Sequence, residues 1–312
     1  MVAEAGLVHG TFGGLAGGTS AYPGGVTQRL ILDTSSLTYR AFFALPASIT
    51  GQDGRPVNAV RGYLDMTAQL VRDRKPDEVI HCFDHDWRPA GRVAAYDGYK
   101  SARAPDPEGL PEQFDLLRAV LGHLGQPVVE AEGWEADDAI GALCDAVTGA
   151  DRAEVVTGDR DLPQLVRDPH VRVLFTVSGV KKLAEFDEAA VDAKYGIPAR
   201  RYADFATLRG DPSDGLPGVK GVGEKTAAEL VRRYDTLDAV VEHAGELSPR
   251  LASALAGAAD YLRAMRDVVP VNTRVALRRY QGARDDAALD ELAERHRIET
   301  PLQRLREALD AS

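Results

Sequence analysis

Aspartates follow three short apolar runs of this sequence. Asp33 ends the run RLILD, Asp84 ends EVIHCFD, and Asp159 and Asp161 come just after AEVVT. A single aspartate in such a place is often a helix N-cap or a turn residue, so each one alone carries little information. Three runs that all end in this way favour a shared acidic site instead.

The stretch EGWEADDAIG adds three more carboxylates, Glu135, Asp137 and Asp138. They fall in the first turn of a predicted helix, where the helix dipole favours acids, and this alone would account for them. Glu135 and Asp138 are also spaced i, i+3, so they share a helix face. Carboxylates this close repel one another unless a cation lies among them. Oxygen ligands without nearby histidine or cysteine are typical of Mg²⁺ or Mn²⁺ sites.

A third set of candidate residues lies in the stretch GDPSDGLPGVKGVGEKTAAEL, residues 210–230. Asp211 and Asp214 are again spaced i, i+3, although DPSDG is also ordinary turn chemistry. The glycines and lysines that follow predict a phosphate-binding turn at the start of a helix. These residues and the next threonine are Gly218, Lys220, Gly221, Gly223, Lys225 and Thr226. One loop would then bring carboxylates to a metal site and hold a nucleic-acid backbone beside it.

The elements that must position these residues alternate along the chain. Strands are predicted at 29–33, 78–84 and 153–157, and helices at 58–72, 112–124 and 136–147. This alternation predicts an α/β fold, with a mostly parallel central sheet flanked by helices and ligands outside the carboxyl ends of the strands. From about residue 198 onward helical patterns dominate. The long connection between Asp84 and Glu112 carries several basic and aromatic side chains, which favours a lid or a binding loop.

Composition limits what this acidic chain of 312 residues can do. Its 48 acidic and 37 basic side chains give a formal charge of −11. Binding to nucleic acid would therefore have to depend on a local group of positive charges. Cys82 and Cys144 lie in apolar stretches and indicate core residues in a reducing compartment. No apolar run is long enough to predict a transmembrane helix. The glycine-rich start lacks the features of a secretory signal, so a cytoplasmic location is expected.

Five motifs together resemble the bacterial 5′→3′ exonuclease and flap endonuclease family. They are LILDTSSLTYRAFFALP, FDHDWRP with YKSARAP, EGWEADDAIG, TGDRDLPQLV and GDPSDGLPGVKGVGEKTAA, in the family's order. The chain resembles the N-terminal exonuclease domain of DNA polymerase I from about residue 29 to 275, here expected as a free-standing protein. Three positions depart from the family's pattern without removing an acid. Thr34 replaces a usual glycine, Gly215 replaces a common asparagine, and Pro163 interrupts the run DLLQL.

The resemblance implies a PIN-like nuclease fold. A flexible extension is expected over residues 1–28, and an α/β metal-dependent nuclease core over 29–198, with a helical arch at about 87–110. A helical DNA-binding region of the helix-hairpin-helix type is expected over 199–312.

The resemblance also implies roles for single residues. Nine acids match the family's metal site for two or three Mg²⁺ or Mn²⁺ ions: Asp33, Asp84, Glu135, Asp137, Asp138, Asp159, Asp161, Asp211 and Asp214. Lys100 and Arg103 match basic arch residues that reach the scissile phosphate, and Tyr99 matches an aromatic residue beside them. The glycine turn would hold a DNA strand and, through its carbonyl oxygens, a K⁺ ion.

The expected activity is that of a structure-dependent 5′→3′ DNA exonuclease and 5′-flap endonuclease in replication and repair, with a two-metal or three-metal mechanism. Its expected partners are DNA with 5′ flaps, nicks, gaps or free 5′ ends, with a functional link to a DNA polymerase and a ligase. A monomer without membrane association is expected.

Four other interpretations are open at this stage. A PIN-like ribonuclease would need fewer acids and would lack the GVKGVGEKTA element, and a non-catalytic protein that binds branched DNA would not need the complete acid set. An aspartyl-nucleophile phosphatase fits poorly, because LDTSS lacks the second acid that such an enzyme uses. A dinucleotide-binding loop at Gly218, Gly221 and Gly223 is also disfavoured, since it does not follow a strand of a βαβ unit.

Overall fold

A seven-stranded sheet forms the centre of the fold. The computed structural model describes residues 26–312, and the preceding part of the extension expected over 1–28 lies outside them. The strands are β1 Gln28–Asp33, β2 Glu78–Cys82, β3 Val128–Ala131, β4 Arg152–Thr157, β5 Val171–Ser178, β6 Lys182–Phe186 and β7 Leu277–Tyr280. Their spatial order is β6-β5-β4-β1-β2-β3-β7, and only the two edge strands of this sheet are antiparallel to their neighbours. The predicted α/β fold with a mostly parallel sheet is confirmed.

Helices cover both faces of this sheet. In the described part of the chain they are α1 Thr34–Ala44, α2 Asn58–Arg74, α3 Ala90–Ala95, α4 Leu110–His123, α5 Ala136–Asp145, α6 Glu188–Tyr195, α7 Tyr202–Arg209, α8 Glu224–Tyr234, α9 Leu237–Glu242, α10 Pro249–Gly257, α11 Ala259–Val268, α12 Asp286–His296 and α13 Glu299–Asp310. Helices α2, α4, α12 and α13 pack on one face, and α5 and α6 pack on the other. The alternation in β1 explains this arrangement, because Leu30 and Leu32 point into the first layer and Ile31 into the second.

The central parallel strands end at one edge of the sheet. Asp33 is in register with Cys82, and Leu32 is in register with Val156. The residues that follow these positions therefore emerge side by side, as the sequence predicts.

A separate apolar cluster holds the helical region together. Tyr202, Phe205, Leu230 and Met265 are buried in it, and they come from α7, α8 and α11. The chain then returns to the sheet. Strand β7 pairs with β3, and α12 and α13 complete the layer on α2 and α4. The separate helical cluster thus spans about 199–269, whereas β7, α12 and α13, at the end of the expected 199–312 region, pack on the α/β sheet.

The segment 87–110 differs from the expected helical arch. It contains one six-residue helix, α3, followed mainly by turns. Pro105 and Pro107 disfavour a longer helix here, since proline lacks an amide hydrogen and restricts the residue before it. Lys100 has a positive φ of 50°, and its amide donates a 2.9 Å hydrogen bond to the carbonyl of Asp214. The segment is thereby fixed over the strand ends.

Candidate metal centre and nucleic-acid interface

Hydrogen bonds fix the acids at the strand ends. Asp33 ends β1 and caps α1, accepting hydrogen bonds from the Ser36 amide at 3.0 Å and the Thr157 hydroxyl at 2.6 Å. Asp84 accepts a 2.7 Å bond from the amide of Ala136, which ties the end of β2 to the start of α5. The helix-cap interpretation of Asp33 is therefore correct, and it is compatible with a second role for the free side of the carboxylate.

The electrostatics of these acids connect them into one cluster. The pKa of Asp33 is raised to about 7, chiefly by burial; the hydrogen bonds from Thr157 and Ser36 lower it, and the charges of Asp84 and Asp159 add to the rise. Desolvation likewise raises the pKa of Asp137 well above its usual value, helped by the charges of Asp159, Asp33 and Glu135. The acids from three separate stretches of sequence thus meet at one edge of the sheet.

The acids after β4 join this cluster to the loop before the glycine turn. Desolvation raises the pKa of Asp161 well above its usual value, and Asp159, Asp211 and Asp214 contribute in that order. The pKa of Asp214 is also raised, first by desolvation, although Lys100 opposes the shift. Asp211 additionally makes a local turn, accepting a 2.9 Å bond from the amide of Ser213.

The donor set fits a hard divalent cation. Oδ1 of Asp161 is buried without any hydrogen-bond partner in the described part of the chain, which is costly unless a cation meets it. The neighbouring carboxylates of Asp159, Asp211 and Asp214 are oxygen ligands of the kind that Mg²⁺ and Mn²⁺ prefer. The charge of Arg209 also acts on Asp161. Within residues 26–312, no three acidic, histidine or cysteine side chains yet converge at metal-ligand spacing. One reason is visible at Glu135, whose carboxylate is paired with the cations of Arg92 and Lys100.

Lys100 and Tyr99 lie inside the site rather than on its surface. The side chain of Lys100 is only 6% exposed, forms an ion pair with Glu135 and lies 3.9 Å from Asp214. Tyr99 is 4% exposed and donates a 2.7 Å hydrogen bond to Glu135. Its ring is therefore not free to stack on a base in this arrangement. Arg103 is more accessible, at 43%, and its guanidinium lies 3.4 Å from Asp214.

Arg92 belongs to the site although the sequence assigned it no role. It lies in α3, is buried, and pairs with both Glu135 and Asp138. Asp138, expected as a metal ligand, is 0% exposed beneath this guanidinium. The only signal in the sequence was the position of Arg92 within the long connection after Asp84, since nothing there indicates which acid it meets.

The glycine turn is built by close backbone contact with α7. Gly218 has a φ of 67°, and a Cβ placed there would lie 2.5 Å from the carbonyl oxygen of Arg209, so a side chain is excluded. Gly221 has a φ of 80°, and Gly223 is the N-cap of α8 without any side-chain cap.

The amides at the start of α8 and the neighbouring lysines face the solvent side of this turn. Lys220 is exposed, and the side chain of Lys225 is 91% exposed, whereas Thr226 is half-buried. Uncapped amides at a helix N-terminus are suited to a phosphate group.

Comparisons with known proteins identify the family. The family model of the 5′-3′ exonuclease N-terminal resolvase-like domain matches residues 28–196, and that of the 5′-3′ exonuclease C-terminal SAM fold matches residues 197–295. The chain belongs to the 5′→3′ exonuclease family. The resemblance seen in the five motifs is thereby confirmed.

Relatives of this 5′→3′ exonuclease family member agree in sequence and fold. A 5′-3′ exonuclease of Streptomyces coelicolor is 45% identical over 305 residues, covering 90% of this chain and 100% of that protein. DNA polymerase I of Mycobacterium bovis is 43% identical over 228 residues, covering 72% of this chain and 25% of the polymerase. The bacteriophage T5 flap endonuclease, solved in a pseudo-enzyme–product complex with DNA and metal ions, has a TM-score of 0.64 at 17% identity, covering 91% of this chain and 98% of that one. At that identity the likeness shows the fold.

Among the described residues of this family member, no helix combines the length and the apolar character that crossing a membrane requires.

Proposed function

We propose that this family member is a structure-dependent 5′→3′ DNA exonuclease and 5′-flap endonuclease that acts in replication and repair. The observation that carries the proposal is the meeting of three features at one edge of the sheet. These are the coupled acid cluster, the buried Lys100 and the glycine turn that continues from Asp214. The acid cluster supplies metal ligands, and the buried cation can stabilise negative charge on a phosphoryl group. The uncapped amides at the start of α8 can bind a phosphate.

The proposed metal site takes two or three Mg²⁺ or Mn²⁺ ions. The candidates to hold them are the nine acids that match the family's metal site: Asp33, Asp84, Glu135, Asp137, Asp138, Asp159, Asp161, Asp211 and Asp214. When bound, such ions neutralise charge on a phosphodiester and make water a better nucleophile. The chain's own contribution is to hold its carboxylates in place through caps and amide bonds, as at Asp33 and Asp84.

Lys100 and Arg103 are proposed to act on the scissile phosphate. Both cations already lie near Asp214, at the border between the acid cluster and the loop before the glycine turn. A phosphate that binds there can replace the carboxylate of Asp214 as the partner of the two cations. Their charge then neutralises the growing negative charge of the transition state. Tyr99 is proposed to contribute through its hydroxyl on Glu135, unless opening of the segment frees its ring for a DNA base.

The glycine turn is proposed to position duplex DNA without reading bases. Gly218 lets the turn pack closely on α7, and Gly221 and Gly223 are exposed, so the amides of the turn can meet phosphates and its carbonyl oxygens can meet a K⁺ ion. Lys220 and Lys225 add charge on the solvent side. The acidic chain can bind DNA in this way because the favourable charges are local.

The proposed substrates are DNA molecules with 5′ flaps, nicks, gaps or free 5′ ends. The similarity to one quarter of a DNA polymerase I supports a functional link to a polymerase and, through the nicks that remain, to a ligase. A cytoplasmic monomer is proposed.

The test uses matched substrates with 5′ or 3′ labels: flap, nick, gap, overhang and an RNA flap, each with Mg²⁺, Mn²⁺, Ca²⁺ or a chelator. Cleavage of the DNA flap near its base in Mg²⁺ or Mn²⁺, lost in Asp137→Asn but kept in Asp145→Asn, is expected. Asp145 is the matched control because it is an exposed acid on the same helix. Preferred cleavage of the RNA flap would favour a ribonuclease, and tight binding without cleavage in any metal would favour a non-catalytic DNA-binding protein.

A further inference from the structure

Arg92 lies at a junction of three chain segments. Its guanidinium belongs to α3 and donates to the carboxylate of Asp138 through Nη1 at 3.0 Å and Nη2 at 2.7 Å. The same Nη2 lies 3.4 Å from the carbonyl oxygen of Pro270, at the point where the chain leaves the helical region. Glu135, at the start of α5, is a further partner. The side chain of Arg92 therefore connects the segment 87–110 to helix α5 and to the residues that follow α11.

The acceptor capacity of Asp138 is already filled. Besides the two bonds from Arg92, Asp138 accepts from the amide of Asn272 at 2.8 Å and from the amide of Glu135 at 3.3 Å. A carboxylate offers about four acceptor sites. Each oxygen of Asp138 therefore has two donors, and the side chain is 0% exposed. A metal ion would have to displace a donor that is itself buried, whereas Oδ1 of Asp161 has no partner in the described chain.

The two cations that reach Glu135 are held differently. Both lie over the ring of Tyr99, Arg92 at 5.9 Å and Lys100 at 5.1 Å. Only Arg92 also makes two hydrogen bonds to a second carboxylate, that of Asp138. Lys100 has one close partner, Glu135, and a second at 3.9 Å. A planar guanidinium with two parallel bonds is a firmer partner for a carboxylate than a single ammonium group. Lys100 is therefore the cation that can leave Glu135 and bind a substrate phosphate. Arg92 remains bound to Asp138 and Glu135.

We infer that Asp138 is the buried counter-ion of Arg92 rather than a metal ligand, and that Arg92 is a positioning residue that holds Glu135 and the segment 87–110 over the acid cluster. The inference rests on the proposed function only in calling the neighbouring acids metal ligands. It revises one of the nine positions that the family resemblance implied.

A double-mutant cycle on the metal-free protein tests the pair. Arg92→Gln leaves the buried carboxylate of Asp138 without its cation, and Asp138→Asn leaves the buried Arg92 with Glu135 as its one carboxylate partner, so each is expected to lower the melting temperature by about 5 °C or more. The double variant replaces the ion pair with two amides of similar shape and is expected to regain most of this loss. Losses that simply add would overturn the pairing. Asp145→Asn, on the same helix, is the control and should change little.

Mn²⁺ binding without DNA, followed by calorimetry, separates a counter-ion from a ligand. In the Arg92→Gln background, where the contact to Glu135 is already lost, adding Asp138→Asn is expected to change the affinity for Mn²⁺ little, because Asp138 contributes no ligand. Adding Asp137→Asn in the same background, which removes a proposed ligand, should weaken Mn²⁺ binding at least about tenfold further. If Asp138→Asn weakens Mn²⁺ binding in this background as much as Asp137→Asn does, Asp138 is a ligand and the inference is wrong.

Arg92→Lys covers the case in which Arg92→Gln does not fold. It keeps the charge but cannot form two parallel bonds, so the Mg²⁺ concentration for half-maximal single-turnover cleavage should rise about tenfold. An unchanged Mg²⁺ requirement would overturn the positioning role. A wild-type protein that binds Mn²⁺ and shows the coupling but cleaves no DNA would refute the proposed function and leave the Arg92–Asp138 pair intact.

Discussion

The hydroxyl of Thr157 donates a 2.6 Å hydrogen bond to the carboxylate of Asp33, joining the ends of two neighbouring parallel strands. The same oxygen accepts a 2.8 Å bond from the amide of Asp159. One small side chain therefore sets the spacing between acids that lie 124 positions or more apart in the sequence. It also stabilises the charged form of Asp33, whose pKa burial raises.

Thr157→Val should make Asp33 harder to ionise. The substitution keeps the shape of the side chain and removes the hydrogen bond that lowers the pKa of Asp33. We expect the acid limb of the cleavage profile to move to higher pH and the Mg²⁺ requirement at pH 6.5 to increase. Single-turnover rates across pH 5.5–9 measure both effects. Thr157→Ser keeps the hydroxyl and serves as the control, and equal behaviour of the two variants would contradict the role of the bond.

The acid cluster should make the metal-free protein less stable as pH rises. The pKa of Asp33 is about 7 in the folded chain against 3.8 without its surroundings, so between pH 7 and about 4 the folded state binds protons that the unfolded state does not. Unfolding free energy therefore increases as pH falls through this window. His81 acts in the opposite direction, because burial lowers its pKa to about 3, and so do Asp151 and Asp235, whose pKa values are lowered by hydrogen bonds and charges of neighbouring groups. The contribution of the acid cluster is therefore measured as the difference between the wild type and a variant that lacks one of its acids.

Melting temperatures between pH 5 and 8, with a chelator or with Mg²⁺, test this stability prediction. We expect Mg²⁺ to raise the melting temperature most at pH 8, where the carboxylates repel one another most strongly. Asp137→Asn should stabilise the metal-free protein and flatten its pH dependence. If Asp137→Asn leaves the pH dependence of the metal-free melting temperature unchanged, the repulsion is unimportant.

Lys100→Ala should slow the chemical step more than it weakens binding. If the charge acts on the transition state, the single-turnover rate on a 5′ flap should fall roughly a hundredfold, about 2.7 kcal/mol, with a much smaller change in the dissociation constant. The assay pairs a time course at saturating enzyme with a binding titration in Ca²⁺. Lys182→Ala, at an exposed lysine of an edge strand, is the control. Equal losses in rate and binding would make Lys100 an ordinary phosphate contact.

Lys220→Ala and Lys225→Ala should weaken binding to every duplex sequence alike. Both side chains are exposed next to the uncapped start of α8, where they can meet phosphates but not base edges. Each lost phosphate contact should reduce the slope of log affinity against log salt by about one. Titrations at several salt concentrations, on duplexes of different sequence, give this slope. Weakening that depends on the base sequence would instead mean that the turn reads bases.

The sequence predicted strands β1, β2 and β4 and missed the other four strands of the sheet, of which β3 and β5 are interior and β6 and β7 are edges. Strands β1, β2 and β4 are apolar runs buried on both faces, and that pattern is visible without a structure. Strand β7, with the sequence LRRY, is mostly exposed and pairs only with β3, so its residues carry no strong strand pattern. The return of the chain to the sheet after the helical region could not be predicted for the same reason.

The acids were predictable because each follows a recognisable local pattern, but their partners were not. Lys100 looks like a surface residue in YKSAR, and only the fold shows it buried against Glu135. Arg92 pairs with an acid 46 positions away, a contact that no spacing rule describes. Asp138 matches the family's acid motif, yet whether a carboxylate meets a metal or a guanidinium depends on what packs above it.

The helical region, about 199–269, is attached to the nuclease core at both of its ends. It begins after α6 and ends before β7, and both of these elements pack on the same sheet. Because the region is connected to the sheet through two chain segments, it cannot rotate as freely as a region joined by a single linker. If a phosphate binds at Gly221, as proposed, its distance from the acids is fixed by the fold. The position of the cut, counted in nucleotides from the bound duplex, would then be a property of the fold, and lengthening one of the two connections would shift the cut along the strand.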